Sequence, residues 1–246
     1  MISDKRKTWL VWAGFSLWLA LAGCATTGHR EYCAHPQLEM RAKDVETAAL
    51  ISPDIKVYEL TTGGVRELRD DWCSTGKENV QEATLKHLQD KLTAVKRTAV
   101  SKETEEELEE VYALYRAVSA SIQLHVYGPY EFPEKKKNFD YSVGSIQRVL
   151  QHLGADVLVL VYGYDEISTS GRKALQAGAV AVGLLTGVVV VPRGGITQVS
   201  AGIVDASGSI LWYNVKRSAG GCDLRDRESA ARLLAEIFSD LPRFRK

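Results

Sequence analysis

The chain has 246 residues, 45% of them hydrophobic, and its 31 basic side chains balance its 31 acidic ones. A chain of this length and composition can bury a substantial core, so we expect one folded domain rather than general disorder. Because there is no basic excess, neither nucleic acid nor an anionic membrane surface is expected as the main partner.

The first 23 residues have the order of an export signal. Lys5, Arg6 and Lys7 precede an apolar segment over 9–22, and small residues follow that segment directly. A membrane-spanning helix needs about 20 consecutive apolar residues, and this segment is shorter. The pattern predicts a signal peptide over 1–23 and therefore an exported protein.

The end of this segment resembles the lipobox of bacterial lipoproteins. It consists of Leu21, Ala22, Gly23 and Cys24. The resemblance implies that Cys24 is acylated, becomes the first mature residue and anchors the protein in a lipid bilayer. Because Ala25 rather than Asp follows, it also implies an outer-membrane address facing the periplasm. A plain signal peptide with a coincidental cysteine and an uncleaved anchor helix stay open as alternatives.

Three cysteines remain after Cys24 is assigned to lipid: Cys33, Cys73 and Cys222. In an oxidising compartment three thiols permit one disulfide in any of three pairings. We favour Cys73 with Cys222, because each is predicted to lie just before a helix that follows a strand. Cys33 is spaced with two histidines as in some metal sites, but no fourth ligand accompanies them. No metal and no cofactor are predicted.

Residues 24–54 show no sustained hydrophobic period and are predicted to form a tether, with a short helix near 40–50. The periplasmic domain is predicted over 55–246. It opens with a β-hairpin, in which Gly63 and Gly64 form the tight turn between two apolar-alternating stretches.

Two helical patterns follow the hairpin. The first has apolar residues at helical spacing over 76–98. The second begins near Thr104, where Thr104 and Glu107 match a capping box. We predict that the two helices pair antiparallel within the chain; a coiled coil with a binding partner is the alternative.

The second half of the chain predicts a sheet. After a loop over 129–140, an amphipathic helix ends at Gly154, a usual helix stop. Residues 157–161 are all apolar, which indicates a central strand buried on both faces. A hairpin turning at 206–208 and an amphipathic helix before Pro242 follow. The predicted fold class is α/β, a mixed sheet flanked by helices in an α/β sandwich.

An apolar stretch over 174–191 separates two predicted strands. Arg172 and Lys173 precede it, and Arg193 follows it. The simplest interpretation is a helix or strand pair buried inside the domain. Contact with the bilayer or with other subunits is the second, because soluble monomers rarely expose such a patch. A transmembrane helix is the third, since 18 residues are near the lower limit for a span.

Catalytic motifs are not convincing in this sequence. Ser170 and Lys173 match the S-x-x-K spacing of penicillin-recognising enzymes, but the companion motifs of those enzymes are absent. Four acidic residues lie at predicted strand ends, where a carboxylate pair could assemble: Asp156, Asp165, Glu166 and Asp205. Such residues more often cap turns. We predict no catalytic residue and no enzymatic activity.

Two passages, 139–175 and 201–215, resemble a group of proteobacterial outer-membrane lipoproteins. They are more distantly similar to the curli-secretion lipoprotein, the penicillin-binding-protein activator lipoprotein and the TolB amino-terminal domain. The matching motifs are structural: Gly154, Ala155 and Asp156 at a strand entry, and Asp205, Gly208 and Trp212 in a hairpin.

That resemblance implies a protein that acts by binding and assembly. We expect a non-enzymatic envelope lipoprotein that binds an envelope protein or copies of itself, with no nucleic-acid partner. The alternative is an oligomeric secretion or pore component that inserts residues 174–191 into the membrane. A third hypothesis, an envelope hydrolase, would depend on Ser170 and Lys173.

Overall fold

The computed structural model describes residues 32–92, 94–97, 102–188 and 190–244. Within these residues a mixed sheet of eight strands is covered by helices on both faces, which confirms the predicted α/β fold class. The predicted signal peptide and the lipobox lie outside the described residues.

The elements alternate between strands and helices along the chain. The strands are β1 (Tyr32–Ala34), β2 (Thr47–Leu50), β3 (Asp54–Leu60), β4 (Arg66–Leu68), β5 (Ala94–Arg97), β6 (Val157–Ser168), β7 (Thr197–Asp205) and β8 (Ile210–Ser218). The helices are α1 (Leu38–Arg41), α2 (Asp70–Gln89), α3 (Lys102–His125), α4 (Pro133–Lys137), α5 (Gln147–Leu153), α6 (Ser170–Thr186) and α7 (Arg227–Phe238).

The 12-residue strand β6 lies at the centre of the sheet. One of its edges pairs antiparallel with β7, which continues the sheet through β8 to β1. The other edge is shared by two parallel strands, with β2 beside the first residues of β6 and β3 beside the last. Strand β6 is therefore hydrogen-bonded on both edges along most of its length.

Side chains of β6 fill both cores, as the unbroken apolar run predicts. Val157, Val159 and Val161 belong to the core that includes α2 and α7. Leu158 and Leu160 belong to the core that includes α3 and α5. All five are at most 1% exposed, so neither face of this strand is free for another element.

The helix boundaries on either side of the sheet agree with the local sequence signals. Helix α5 ends at Gly154, which has φ 60° and ψ 46° in the left-handed region. Helix α7 is capped by the Asp226 side chain, which accepts a hydrogen bond from the Ser229 backbone N–H at 2.7 Å. Trp212 on β8 stacks on Phe238 of α7, with ring centroids 5.5 Å apart.

The predicted pairing of the two long helices is wrong. Helix α2 ends at Gln89, and Val95, which the spacing assigned to that helix, lies in β5. Strand β5 pairs with β2 at the edge of the sheet. Helices α2 and α3 then pack on opposite faces, because the chain passes through this edge strand between them.

The predicted tether over 24–54 is wrong for its described part. Strand β1 pairs with β8, and β2 lies between β5 and β6. Ala48, Ala49 and Leu50 are at most 1% exposed. Short strands buried on both sides carry too few residues to show a period, so the sequence pattern missed them. The described fold starts at Tyr32.

The predicted Cys73–Cys222 disulfide is not formed in the structure, where both residues and Cys33 are free thiols. Cys73 lies in the first turn of α2, and its Sγ accepts a hydrogen bond from the Val57 backbone N–H at 3.1 Å. The Cys222 Sγ accepts one from the Ser229 hydroxyl at 3.5 Å. Each sulfur faces its own partner, and burial raises the pKa of the Cys222 thiol.

Close packing of α3 on β7 depends on a glycine. A Cβ at Gly202 would lie 2.8 Å from the Tyr115 Oη and 2.9 Å from a carbon of its ring. We expect Gly202→Ala to lower the free energy of unfolding by about 1–3 kcal/mol, because Tyr115 is fully buried and has no room to move. Urea unfolding measures this.

A double-mutant cycle with Tyr115→Leu tests whether contact with the Tyr115 ring causes this loss of stability. When the ring is absent, Gly202→Ala should cost clearly less than it does in the wild type. Equal costs in the two backgrounds would contradict the proposed contact.

Candidate binding surface

The chain leaves the sheet between β6 and β7 to form a projecting segment that we call the α6 arm, residues 170–195. It comprises α6 and a return segment over 187–195. Strands β6 and β7 are antiparallel neighbours, with Asp165 opposite Thr197. Because a turn of two residues can join such neighbours, the arm is an insertion that the sheet does not need.

Local signals make this segment a helix. The Thr169 side chain accepts a hydrogen bond from the Arg172 backbone N–H at 3.3 Å and caps the amino end. Gly187, with φ 74°, ends the helix, and its N–H donates to the Gly183 carbonyl at 2.9 Å. Within the apolar stretch 174–191, residues up to Thr186 thus belong to one helix, and the described residues after it lie in no helix or strand.

Most apolar side chains of the arm are exposed. They are Leu175, Val180, Val182, Leu184, Leu185, Val188, Val190 and Val191. Leu184 and Leu185 near the tip are 79% and 88% exposed. The expected burial of this segment inside the domain is therefore wrong, because both faces of the sheet are already covered by other helices.

Helix α6 has 17 residues. Among the described residues, no helix has the combination of length and apolar character needed to cross a membrane.

Arg172 fixes the base of the arm to the domain. Its side chain is nearly buried, and its guanidinium donates to the Arg193 carbonyl from Nε at 2.9 Å and from Nη2 at 2.6 Å. Nη1 donates to the carbonyls of Thr61 and Thr62 in the turn between β3 and β4. One side chain therefore connects α6, the return segment and the neighbouring hairpin.

A buried carboxylate lies under this base. The Glu166 side chain is fully buried at the end of β6 and forms ion pairs with Arg66 at 2.5 Å and Arg193 at 2.8 Å. Lys173, on the first turn of α6, is exposed, and the carboxylate of Asp223 lies within range of its charge. The ion pairs of Glu166 thus hold β4 and the return segment to the end of β6.

The other acids at strand ends have structural partners and do not come together. The buried Asp165 accepts hydrogen bonds from the Thr197 hydroxyl at 2.6 Å and the Leu224 N–H at 2.8 Å, and burial raises the pKa of its carboxyl. Asp156 accepts two backbone N–H groups at the opposite end of β6. Asp205 accepts the Ser209 N–H at the turn between β7 and β8.

The remaining predicted site residues are also dispersed. Ser170 and Lys173 are both exposed on the first turn of α6. His87 stacks with Phe238 and His125 with Phe132, and burial lowers the pKa of the His87 ring. In the part of the chain that the structure describes, no three His, Cys, Asp or Glu side chains group as metal ligands.

Sequence reasoning missed the roles of Arg66, Arg172 and Arg193. Arg172 and Arg193 were identified in the sequence only as charges that flank the apolar stretch. Their partners are carbonyl groups and a carboxylate that lie far away in the sequence, so no local pattern indicates them. Arg66, on the short strand β4, gave no signal at all.

No family model matches the chain, and no curated protein matches it. Among solved structures, the chain is similar to the C-terminal domain of LpoB from Salmonella enterica, with 10% sequence identity and a TM-score of 0.26. The match covers 76% of this chain and 96% of that domain. This similarity is too low to assign the chain to a family.

Removing the Arg172 side chain should loosen the arm and spare the domain. We expect Arg172→Ala to speed amide hydrogen exchange over the arm, because hydrogen bonds from a charged donor contribute about 1.5–3 kcal/mol. The amides of β6 and β7 should keep their protection, because these strands are held by the rest of the sheet.

The matched control is Lys173→Ala, which removes the neighbouring exposed cation and should leave the exchange pattern unchanged. Unaltered exchange in the arm of Arg172→Ala would show that the arm is held in another way.

Proposed function

We propose that this protein is a non-enzymatic lipoprotein of the bacterial outer membrane, anchored through acylated Cys24 and facing the periplasm. It binds or helps to assemble other envelope components, and the α6 arm is its binding element. The lipobox-like residues before the folded domain support the anchor, and the arm supports the binding role.

The exposed apolar arm is the observation that carries the proposal. Contiguous apolar patches on free soluble proteins are small, and larger ones mark interaction sites. Leu184, Leu185 and Val188 are each more than two-thirds exposed, and they lie together at the tip. Such a surface is costly in water and is stabilised when a partner covers it.

The polar groups of the domain support a binding role rather than catalysis. Asp165 and Glu166, the two acids in the last residues of β6, are occupied by hydrogen bonds and ion pairs that hold β6 to its surroundings. Ser170 and Lys173 are free to meet solvent at the helix start, where the hydrolase hypothesis would require an enclosed nucleophile.

The anchor is tested by metabolic labelling with a palmitate analogue. The wild-type chain should incorporate the label and lose residues 1–23, because the thiol of Cys24 is the acylation site. The Cys24→Ala variant should incorporate none, and the Cys33→Ala variant should behave as the wild type. Intact mass that retains Met1 in the wild type would contradict the anchor.

The binding element is tested by photocrosslinking in intact cells. We expect p-benzoylphenylalanine in place of Leu185 to give an adduct with an envelope component, either protein or lipid, identified by its mass. The same group in place of Gln151 is the matched control, because Gln151 is exposed on α5 near the opposite end of β6. Equal yields at the two positions would contradict a binding role for the arm.

A further inference from the structure

We infer that the component covering the α6 arm is the lipid bilayer itself, and that the tip of the arm inserts into one leaflet. The inserted leaflet is the one that holds the acyl chains of Cys24. This inference rests on the proposed function and names the partner of the same surface.

The register of the sheet points the amino end of β1 toward the end of the sheet at which the arm is attached. Thr197, the first residue of β7, pairs with Ser218, the last residue of β8. Strand β1 is antiparallel to β8, with Tyr32 opposite Asn214 and Ala34 opposite Trp212. The amino end of β1 therefore points toward the Ser218 end of the sheet, from which the arm also projects.

The length of chain before β1 limits the distance of this end from the bilayer. Eight residues lead from Cys24 to Tyr32. Even fully extended, they reach at most about 29 Å. Helix α6 is about 25 Å long at 1.5 Å per residue. An anchor at Cys24 therefore keeps the arm within reach of the membrane surface.

Polarity along the arm is graded in the order that a bilayer surface requires. The basic side chains Arg66, Lys173 and Arg193 lie at the base, and Leu184 and Leu185 lie near the tip. No acidic residue occurs between Ile167 and Val204. Phosphate groups of the lipid headgroups can reach Lys173 and the half-exposed guanidinium groups of Arg66 and Arg193, while acyl chains cover the tip.

The return segment limits the depth of insertion. Its described residues, 187–188 and 190–195, lie in no helix or strand, and hydrocarbon offers no partner for unpaired N–H and C=O groups. Interfacial helices bury their apolar face by about 5–10 Å. From Lys173 to Leu185 the helix rises about 18 Å, so a tip about 10 Å deep leaves Lys173 about 8 Å above the hydrocarbon, at the outer edge of a headgroup layer about 5–8 Å thick.

Tryptophan quenching by brominated lipids tests the insertion. The acylated mature protein is reconstituted in vesicles of phosphatidylethanolamine and phosphatidylglycerol, with bromines at acyl positions 6,7 or 11,12. We expect Leu185→Trp to be quenched, and more strongly by the shallow bromines. The matched control, Gln151→Trp, should show only the background of Trp72 and Trp212.

A second variant confirms that apolar contact drives the insertion. Adding Leu184→Ser to Leu185→Trp should lower the equilibrium constant for insertion about tenfold, because burying one leucine side chain contributes roughly that factor. The substituted position is exposed in the structure, so the fold should be retained, and circular dichroism checks this.

Failure of this inference is distinguishable from failure of the proposed function. If mass spectrometry shows acylated protein and Leu185→Trp is not quenched, the bilayer does not cover the arm, and a protein partner or a second copy does. If the protein carries no acyl chain, the anchor is refuted, and quenching of Leu185→Trp on added vesicles decides the inference alone.

Discussion

The central strand β6 is the constraint on which the rest of the structure depends. Its alternate side chains fill two separate cores, and its two edges are occupied by β7 on one side and by β2 and β3 on the other. A strand used in this way leaves no open face or edge beside it. The apolar helix that follows it in sequence therefore has no place in the domain and remains outside.

The junction between the sheet and the arm is electrostatic. Glu166 is fully buried, and a buried ion is costly unless its partners neutralise it. Arg66 comes from the neighbouring hairpin and Arg193 from the return segment, so the need to neutralise one carboxylate draws three parts of the chain together. Arg172 adds hydrogen bonds to carbonyls of two of these parts. The base is thereby fixed, while the described tip residues 184–188 carry apolar side chains apart from Thr186 and Gly187.

The sequence predicted those elements whose residues satisfy a local rule. The apolar run 157–161, the helix stop at Gly154 and the apolar stripe of α7 each indicate one structure from neighbouring residues alone. Strands β1, β2 and β5 are only three or four residues long and depend on pairing with distant strands, so no local pattern identified them. The sequence identified the arm as an unusually apolar segment, but hydropathy indicates only that such a segment favours leaving water. Whether the segment is buried inside its own domain depends on whether the two cores have room for it.

A lipid anchor would limit the distance of the domain from the bilayer, whereas an apolar arm at one end of the sheet would limit its orientation. Acyl chains on Cys24 would limit the distance between domain and bilayer, and several chains suffice for stable attachment. They cannot set which side of the domain faces the membrane, because a single point of attachment permits rotation. A second contact through the 26-residue arm, whose base is held by the ion pairs of Glu166, would fix that orientation. The end of the sheet near Asp156 and α5 would then face away from the membrane.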